Sequence, residues 1–169
     1  MEKEKILLNA TLVFLIRGQY LLLAKKLKKI GQGCWNGYGG GIEGNETPEQ
    51  CILRELPEEA KVTTTLEALQ KVAIIDFHNT TAEGENFVCK VHVFFVHHWE
   101  GMPEATEEMG YPQWFHRNGL PVEEMMLADR IWLPIVLEGK KIKARAAYGQ
   151  HQKTLLGEVI WKEVQDFSK

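Results

Sequence analysis

The sequence predicts an α/β fold in which a mixed β-sheet lies between helices, as an α/β/α sandwich. Three features of the 169 residues support this prediction. Apolar, β-branched runs bounded by turn-forming residues recur along the chain, which is typical of strands. A capped amphipathic segment begins near residue 48, and a second apolar segment of helical length covers residues 129–137. Two such segments can cover the two faces of one sheet.

The first part of the chain predicts a hairpin, a glycine-rich loop and a helix. Residues 6–16 and 20–24 are rich in large apolar side chains, and the sequence RGQ between them predicts a tight turn. Seven glycines fall within residues 31–44, a density that lets the backbone pass close to a ligand. Thr47 can cap a helix that has Pro48 at its first position and Gln50 three residues after the cap.

The remaining elements follow from the same patterns of apolar spacing and turn residues. Strands are predicted at residues 66–78, 87–99 and 111–115, helical segments at 122–127 and 129–137, and a closing hairpin at 140–148 and 154–164. No internal repeat, low-complexity segment or linker interrupts this order. We therefore expect one domain over residues 1–169.

Composition excludes several classes of protein. A net charge of -3 gives no general attraction to polyanions, so extended nucleic-acid binding is not expected. The basic run KKLKK suits a triphosphate better than a duplex, and no targeting or membrane-spanning segment is visible. Cys34, Cys51 and Cys89 are odd in number and widely spaced, which fits neither a disulfide framework nor a zinc site. We expect a cytoplasmic protein that is a monomer or a weak dimer.

The predicted first helix carries a carboxylate face. At about 100° per residue, Glu55, Glu58 and Glu59 fall within an arc of roughly 100°. Leu53, Leu56 and Ala60 cluster on the opposite side. Like charges at this spacing repel by roughly 1 kcal/mol in water and by more when partly buried, so a hard divalent cation such as Mg²⁺ or Mn²⁺ would relieve the face. For the glutamates alone, an ordinary solvated acidic face explains the pattern equally well.

The stretch from Gly40 to Val62 resembles the signature of the Nudix (MutT-like) hydrolase family, G-x5-E-x7-R-E-U-x-E-E-x-G-U, in which U is aliphatic. Eight of its nine fixed positions match: Gly40, Glu46, Arg54, Glu55, Leu56, Glu58, Glu59 and Val62. Lys61 stands where the family has glycine, a position that commonly needs the left-handed conformation. Pro57 lies inside the expected helix, where it would bend or end the last turn.

The likeness extends to the oxidised-purine nucleoside triphosphatase branch of that family. The matching segments are LLLAKK, GQGCWNGYGGGIEGNET, VHVFF, EEMGYPQWF and ADRIWLPIVLEGKK, in the same order. The resemblance implies a Nudix-type α/β/α sandwich. It also implies Mg²⁺-dependent hydrolysis, with Mn²⁺ as a possible substitute, of a nucleoside triphosphate such as 8-oxo-dGTP to the monophosphate and pyrophosphate. Such an enzyme removes oxidised nucleotides from the nucleotide pool.

The resemblance also implies a set of metal and catalytic residues. Glu58, Glu59 and the Gly39 carbonyl would hold metal, together with Glu108 from a later loop, for which Glu107 is a competitor. Glu55 would be a further metal ligand or the general base. Arg54 and Glu46 would form the buried pair that orients it. The sequence does not decide which glutamate acts as the base.

Four residues are implied in substrate binding. Lys26 would meet the phosphates, and Asn36 would contact the purine, unless it only closes a turn. Asp129 matches one of two acidic residues that read the base in this branch, and Met126 stands in place of a stacking tryptophan.

Three positions depart from the branch pattern of substrate binding. Ala128 replaces the second acid, Gly41 replaces a lysine, and Met126 replaces the tryptophan, so the base preference is expected to differ. Two alternatives stay open: hydrolysis of an ordinary nucleotide or another nucleoside-diphosphate derivative, and a nucleotide-binding module that does not hydrolyse, the latter motivated by Pro57 and Lys61.

Overall fold

A computed structural model describes residues 6–28 and 31–168 of the chain. The strands are β1 (Asn9–Arg17), β2 (Tyr20–Lys25), β3 (Trp35–Asn36), β4 (Leu69–Thr80), β5 (Asn86–Val96), β6 (Gln113–His116), β7 (Lys141–Gln150) and β8 (Ile160–Val164). The helices are α1 (Pro48–Ala60) and α2 (Asp129–Leu137), with short 3₁₀ turns at Leu66–Ala68 and Val122–Glu124. Neither α1 nor α2 is long and apolar enough to cross a bilayer.

The strands form one mixed sheet in the order β3-β2-β1-β5-β4-β7-β8, with β6 paired to β2. The pairs β1–β5 and β4–β7 are parallel, while β1–β2, β4–β5 and β7–β8 are antiparallel. The two parallel pairs place β5 beside β1 and β7 beside β4, although the members of each pair are far apart in sequence. This mixed sheet confirms the predicted fold class.

The helices cover opposite faces of the sheet. Along β1, alternate side chains separate into two buried clusters, as the two-residue period of a strand requires. Val13 and Leu15 join the α1 residue Leu56, whereas Phe14 and Ile16 join Trp132 and other α2 residues. Burying each large apolar side chain contributes roughly 1.5–3 kcal/mol, so these two layers fix where α1 and the loops around it stand relative to the sheet.

Several element boundaries differ from the prediction. β1 begins at Asn9 rather than at residue 6, because Ile6 and Leu8 are exposed and lie outside the ladder. The strand predicted at 111–115 is shifted to Gln113–His116, since Tyr111 is 83% exposed. The residues predicted as a closing strand at 154–164 include a left-handed Gly157, and only Ile160–Val164 is extended in the sheet.

The segment predicted as helix at 122–127 is only one 3₁₀ turn. Met125 is extended, with φ -117° and ψ 156°, and this conformation ends the turn. Its side chain is buried against the α2 layer. Packing of one apolar side chain therefore overrides the local helical pattern.

Helix α1 begins as predicted and continues past Pro57. Thr47 and Gln50 form a reciprocal capping box, with Gln50 N donating to Thr47 Oγ1 at 3.1 Å and Thr47 N donating to Gln50 Oε1 at 2.8 Å. Pro57 was expected to bend or end the last turn, and it does not end it, because helical structure continues to Ala60. The buried side chains of Leu56 and Ala60 hold the turn around Pro57 against the sheet.

Lys61 occupies the left-handed conformation that its position predicts, with φ 62° and ψ 27°. Because a side chain in this region clashes with the following carbonyl, we expect Lys61→Gly to raise the free energy of unfolding by roughly 0.5–1 kcal/mol. Urea denaturation measures the change. Glu67→Gly is the matched control, since Glu67 is exposed and does not have a positive φ, and it should destabilise the fold. Equal changes in the two variants would contradict the assignment of strain to Lys61.

Candidate active site

A cleft of about 1220 Å³ is formed by α1, the glycine-rich loop before it and the chain segments at the ends of β4 and β7. Most of the predicted site residues lie along it. The predicted residues that line this cleft are Lys26, Gly39, Arg54, Glu55, Glu58, Glu59, Glu108 and Met126. A separate cavity of about 220 Å³ beside the β1–β2 turn contains none of them.

The packing of α1 directs its carboxylates into the cleft. The buried face of the helix is formed by Cys51, Ile52, Leu56 and Ala60. The sequence placed Leu53 on this face, but Leu53 is only half-buried and Ile52 takes the central position. Glu55 and Glu59 flank this buried face and are half-buried, Glu58 is exposed, and all three line the cleft.

Arg54 connects the first part of the signature to the helix. Its Nη2 and Nε atoms donate to the two oxygens of Glu46 at 2.7 and 3.1 Å, and Nη1 donates to Glu55 Oε1 at 2.8 Å. Nη2 also donates to the Gly41 carbonyl at 3.1 Å. The hydrogen bonds from Arg54 lower the pKa of Glu46 to about 2, and the same bonds raise the pKa of Arg54. The guanidinium therefore fixes Glu55 against the glycine-rich loop.

Glu59 is the carboxylate most perturbed by its surroundings. Burial raises its pKa to about 7, and the nearby negative charges of Glu55 and Glu108 act in the same direction. The Gly39 N–H donates to Glu59 Oε2 at 3.2 Å, and this bond and the charge of Lys26 oppose the rise. Burial also raises the pKa of Glu55. Burial is thus the main reason that both carboxylates hold a proton more tightly than a free glutamate.

Two glycines permit the close approach of loop and helix. Gly39 has φ 147°, and a Cβ atom there would collide with the carbonyl oxygen of Thr11 on β1. A Cβ atom on Gly40 would lie 2.7 Å from Glu55 Oε1. Any side chain at either position would therefore push the loop away from β1 or displace Glu55. These contacts explain in part why glycines precede the carboxylate helix.

The lysines of the basic run have different environments. Lys26 lines the cleft, whereas Lys25 pairs with Glu124 at 3.0 Å and Lys28 lies 3.9 Å from Glu107. Lys29 lies outside the described residues. Glu108 lines the cleft, while the side chain of its competitor Glu107 is 92% exposed. The geometry therefore favours Glu108 over Glu107 as a site residue.

Asn36 and Asp129, two of the predicted substrate-binding residues, are not among the side chains that line the cleft. Asn36 is the last residue of β3, and its Oδ1 accepts the Gly37 N–H at 2.8 Å. Asp129 is 6% exposed and accepts the Trp132 indole N–H at 2.8 Å. Burial raises the pKa of Asp129 to about 6. Both side chains therefore already have a hydrogen-bond partner within the protein.

Part of the cleft wall was not predicted from the sequence. It comes from the ends of β4 and β7, which are neighbours in the parallel pair. The unpredicted lining residues include Asn79, Thr80, Phe87, His151, Gln152 and Lys153. The GQHQ segment was interpreted only as a hairpin turn, and no local pattern shows that this turn meets α1 across a cleft.

Comparison with known proteins identifies the family. A NUDIX domain model matches residues 7–134, which is most of the chain. The chain belongs to the Nudix family. It is 37% identical over 131 residues to an oxidized purine nucleoside triphosphate hydrolase of Danio rerio, covering 78% of this chain and 80% of that protein. It is 35% identical over 157 residues to the Mus musculus protein of the same name, covering 93% and 96%.

A solved structure supports the Nudix fold independently. The crystal structure of a mutator MutT protein from Bacillus halodurans superposes with a TM-score of 0.73, covering 95% of this chain and 99% of that one at 20% identity. The family prediction made from the signature is therefore confirmed. Nudix hydrolases act on nucleotide substrates and generally need divalent metal ions.

The residues of this Nudix site fit a divalent cation by their chemistry. Five carboxylates line the cleft, those of Glu43, Glu55, Glu58, Glu59 and Glu108, and burial raises the pKa of Glu59, so an added positive charge would be stabilised. Within residues 6–28 and 31–168, no three His, Cys, Asp or Glu side chains are gathered into a compact ligand group. Arg54 Nη1 lies 2.8 Å from Glu55 Oε1 and 3.7 Å from Glu58 Oε2. These two carboxylates are therefore kept beside the guanidinium.

The raised pKa of Glu59 predicts that the free energy of unfolding of the protein depends on pH when a chelator keeps it free of metal. The unperturbed value is 4.5, so the folded state binds this proton more tightly than the unfolded state. The resulting stabilisation is fully present below a pH of about 4.5 and is lost as the pH rises through about 7. Urea denaturation should show that the difference between wild type and Glu59→Gln changes in this window. A stability difference between the two proteins that does not change with pH would contradict the raised pKa of Glu59.

Proposed function

We propose that the protein hydrolyses oxidised purine nucleoside triphosphates such as 8-oxo-dGTP to the monophosphate and pyrophosphate, and so removes them from the nucleotide pool. The observation that carries this proposal is the 35% identity with the mouse hydrolase over 93% of the chain. That range is long enough to include all the segments that form the cleft. The similarity to the zebrafish hydrolase supports the same substrate class.

We propose Mg²⁺ as the metal, with Mn²⁺ able to replace it. Glu58, Glu59, Glu55, Glu108 and the Gly39 carbonyl would hold it. When bound, the cation would neutralise negative charge on the phosphoryl oxygens and lower the pKa of water. The donor set is made of oxygens alone, which is the chemistry that Mg²⁺ prefers.

Arg54 acts in this proposal by holding Glu55. Its guanidinium bonds to Glu46, Glu55 and the Gly41 carbonyl at once, so helix and loop are fixed as one unit. A carboxylate held in this way does not need to reorganise when the nucleotide binds. Glu46 would serve only to orient Arg54, since its own oxygens are occupied by that guanidinium.

On the substrate side, Lys26 would meet the phosphates, and Met126 would contact the base. Both line the cleft, and Lys26 is close enough to influence the charge of Glu59. Asn36 and Asp129 stay proposals as base-contacting residues, with side chains that already bond to Gly37 and Trp132. The second oxygen of Asp129 and the Asn36 amide nitrogen would make the contact.

A substrate panel with pyrophosphate detection tests the proposal. We expect faster turnover of 8-oxo-dGTP than of dGTP, dATP or ADP-ribose, and pyrophosphate as the released product in Mg²⁺. The quantity to compare is kcat/KM, since it reports discrimination between substrates. Equal or slower turnover of the oxidised nucleotide would reject the proposed substrate.

A second candidate is a Nudix hydrolase for an ordinary nucleotide or another nucleoside-diphosphate derivative. Ala128 and Met126 leave the base without a second acid and without an aromatic platform, and Gly41 offers no cation. A Cβ atom on Gly41 would lie 2.9 Å from Leu7 Cδ2, so Leu7 occupies space where a longer side chain would begin. The same panel favours this candidate if dATP, dGTP or ADP-ribose is turned over faster than 8-oxo-dGTP.

A binding module without hydrolysis is less well supported, because α1 continues past Pro57 and Lys61 adopts the conformation its position needs.

We also propose a cytoplasmic setting and a monomer or weak dimer. The three cysteines are free thiols, as a reducing compartment maintains them. Light scattering on a size-exclusion column tests the oligomeric state, and a stable higher oligomer would contradict it.

A further inference from the structure

The turn that follows β7 lines the cleft although it belongs to no part of the Nudix signature. His151 and Gln152 form its tip with φ values of 59° and 54°. Positive φ at both central residues is the geometry of a tight hairpin turn, so the turn fixes where these two side chains stand. Both residues line the cleft that contains the carboxylates.

A chain of amide hydrogen bonds orients the Gln152 side chain. Asn79 Nδ2 donates to the Phe77 carbonyl at 3.1 Å, and Gln152 Nε2 donates to Asn79 Oδ1 at 2.8 Å. A backbone carbonyl can only accept, so the Asn79 amide has one possible orientation, and that orientation determines the orientation of the Gln152 amide. Gln152 Oε1 is therefore the last acceptor in this series of hydrogen bonds.

This terminal oxygen is buried and has no hydrogen-bond partner among the described residues. Buried side-chain acceptors are nearly always bonded, and an unsatisfied one calls for a partner. Asn79, to which Gln152 is bonded, is 6% exposed, so the pair is held firmly at the wall of the cleft. A ligand in the cleft that carries an N–H group could donate a hydrogen bond to Gln152 Oε1.

The chemistry around Gln152 favours a nucleobase over a phosphate. A carbonyl oxygen and a phosphate oxygen both accept, so they repel each other at neutral pH. Phe87, directly opposite Asn79 in the β4–β5 register, and Met126 give the cleft flat and polarizable apolar surface. Such surface suits the face of a purine ring.

We infer that Gln152 Oε1 accepts a hydrogen bond from an N–H group on the edge of the purine base, and that Gln152 is thereby a specificity-determining residue. The inference rests on the proposed function, because it takes a purine nucleotide as the occupant of the cleft. A purine with no N–H on its ring or on an exocyclic amino group would leave this oxygen unpaired. The protein should therefore discriminate against such a base.

The test compares Gln152→Leu with Gln150→Leu. Gln150 belongs to the same turn, bonds to the Ala82 carbonyl at 3.1 Å and does not line the cleft. The substrates are dATP, dGTP and the triphosphate of unsubstituted purine deoxyriboside, whose ring has no N–H donor. We expect Gln152→Leu to raise KM about tenfold for the substrates with N–H donors, with kcat within about twofold. KM for unsubstituted purine should not change.

Two results would overturn the inference. One is unchanged KM for all three substrates in Gln152→Leu, and the other is an equal rise of KM for all three, which would show that the turn has only a structural role. Thermal melting of both variants checks that they are folded. A hydrogen bond from the sugar hydroxyl to Gln152 would also raise KM equally for all three substrates, because they share the same sugar.

Failure of the proposed function gives a different result. If the wild-type protein hydrolyses none of these nucleotides, calorimetry with non-hydrolysable analogues replaces kinetics. Weaker binding of the amino-bearing purine to Gln152→Leu, with unchanged binding of unsubstituted purine, supports the role of Gln152 even then. Equal binding to wild type and variant overturns it.

Discussion

Glu59→Gln is expected to lower kcat by on the order of 10³-fold, because it removes a charged ligand from the metal site. Glutamine has the same size and keeps an oxygen that can accept the Gly39 N–H, which lies 3.2 Å from the carboxylate. Since burial already raises the pKa of Glu59 to about 7, the neutral side chain suits the folded state without metal. The fold should therefore be at least as stable as wild type in a chelator.

The matched control is Glu49→Gln, on the same helix. Glu49 lies in the first turn of α1 and does not line the cleft. Its loss should leave kcat within about twofold and cost only a few tenths of a kcal/mol through the helix dipole. Pyrophosphate release in Mg²⁺ measures both variants. Intact turnover in Glu59→Gln would refute the role given to Glu59.

Arg54→Ala is expected to lower the free energy of unfolding by about 3 kcal/mol, because it leaves two largely buried carboxylates without their cationic partner. The side chains of Glu46 and Glu55 are 15% and 12% exposed, and both bond to the guanidinium. Activity should fall as well, since Glu55 loses its orientation. Urea denaturation in a chelator measures the stability change apart from any metal binding.

A double variant separates charge burial from general damage. In Arg54→Ala combined with Glu46→Gln, one orphaned charge is removed, so the combined loss should be smaller than the sum of the single losses. Arg54→Lys should recover little, because an ammonium group cannot bond to Glu46 and Glu55 in the same fork geometry. Purely additive losses, or full rescue by lysine, would contradict the network described for Arg54.

The features predicted correctly from sequence are local ones. The cap formed by Thr47 and Gln50 and the carboxylate face of α1 depend on residues within a few positions of each other, where helical geometry fixes the neighbours. Lys61 is another such case, since the end of a helix demands a left-handed residue whatever follows. The local sequence is therefore sufficient to predict these features.

Packing decides features that the local sequence does not show. Pro57 lacks the N–H that a helix interior uses, yet Leu56 and Ala60 are fully buried and hold the turn in place. Asp129 matches a base-reading residue in the branch pattern, but the α2 layer buries it against Trp132. A motif gives a residue its position in the chain and does not give its depth in the fold.

The cleft wall from the β7 turn could not be predicted because it depends on long-range pairing. Gln152 and Asn79 are 73 positions apart and meet only because β4 and β7 are parallel neighbours. The crossover that makes them neighbours has no local sequence signal. The buried unpaired oxygen of Gln152 becomes visible only when both strands are in place.

The central claim is that the carboxylates of the cleft hold a divalent cation for hydrolysis of a nucleoside triphosphate. Electron paramagnetic resonance of a Mn²⁺ titration measures free and bound ion directly. We predict saturable Mn²⁺ binding to the wild-type protein that Mg²⁺ displaces and that the Glu58→Gln, Glu59→Gln double variant loses while its thermal melting shows a folded protein. Equal Mn²⁺ binding by wild type and the double variant would contradict the claim.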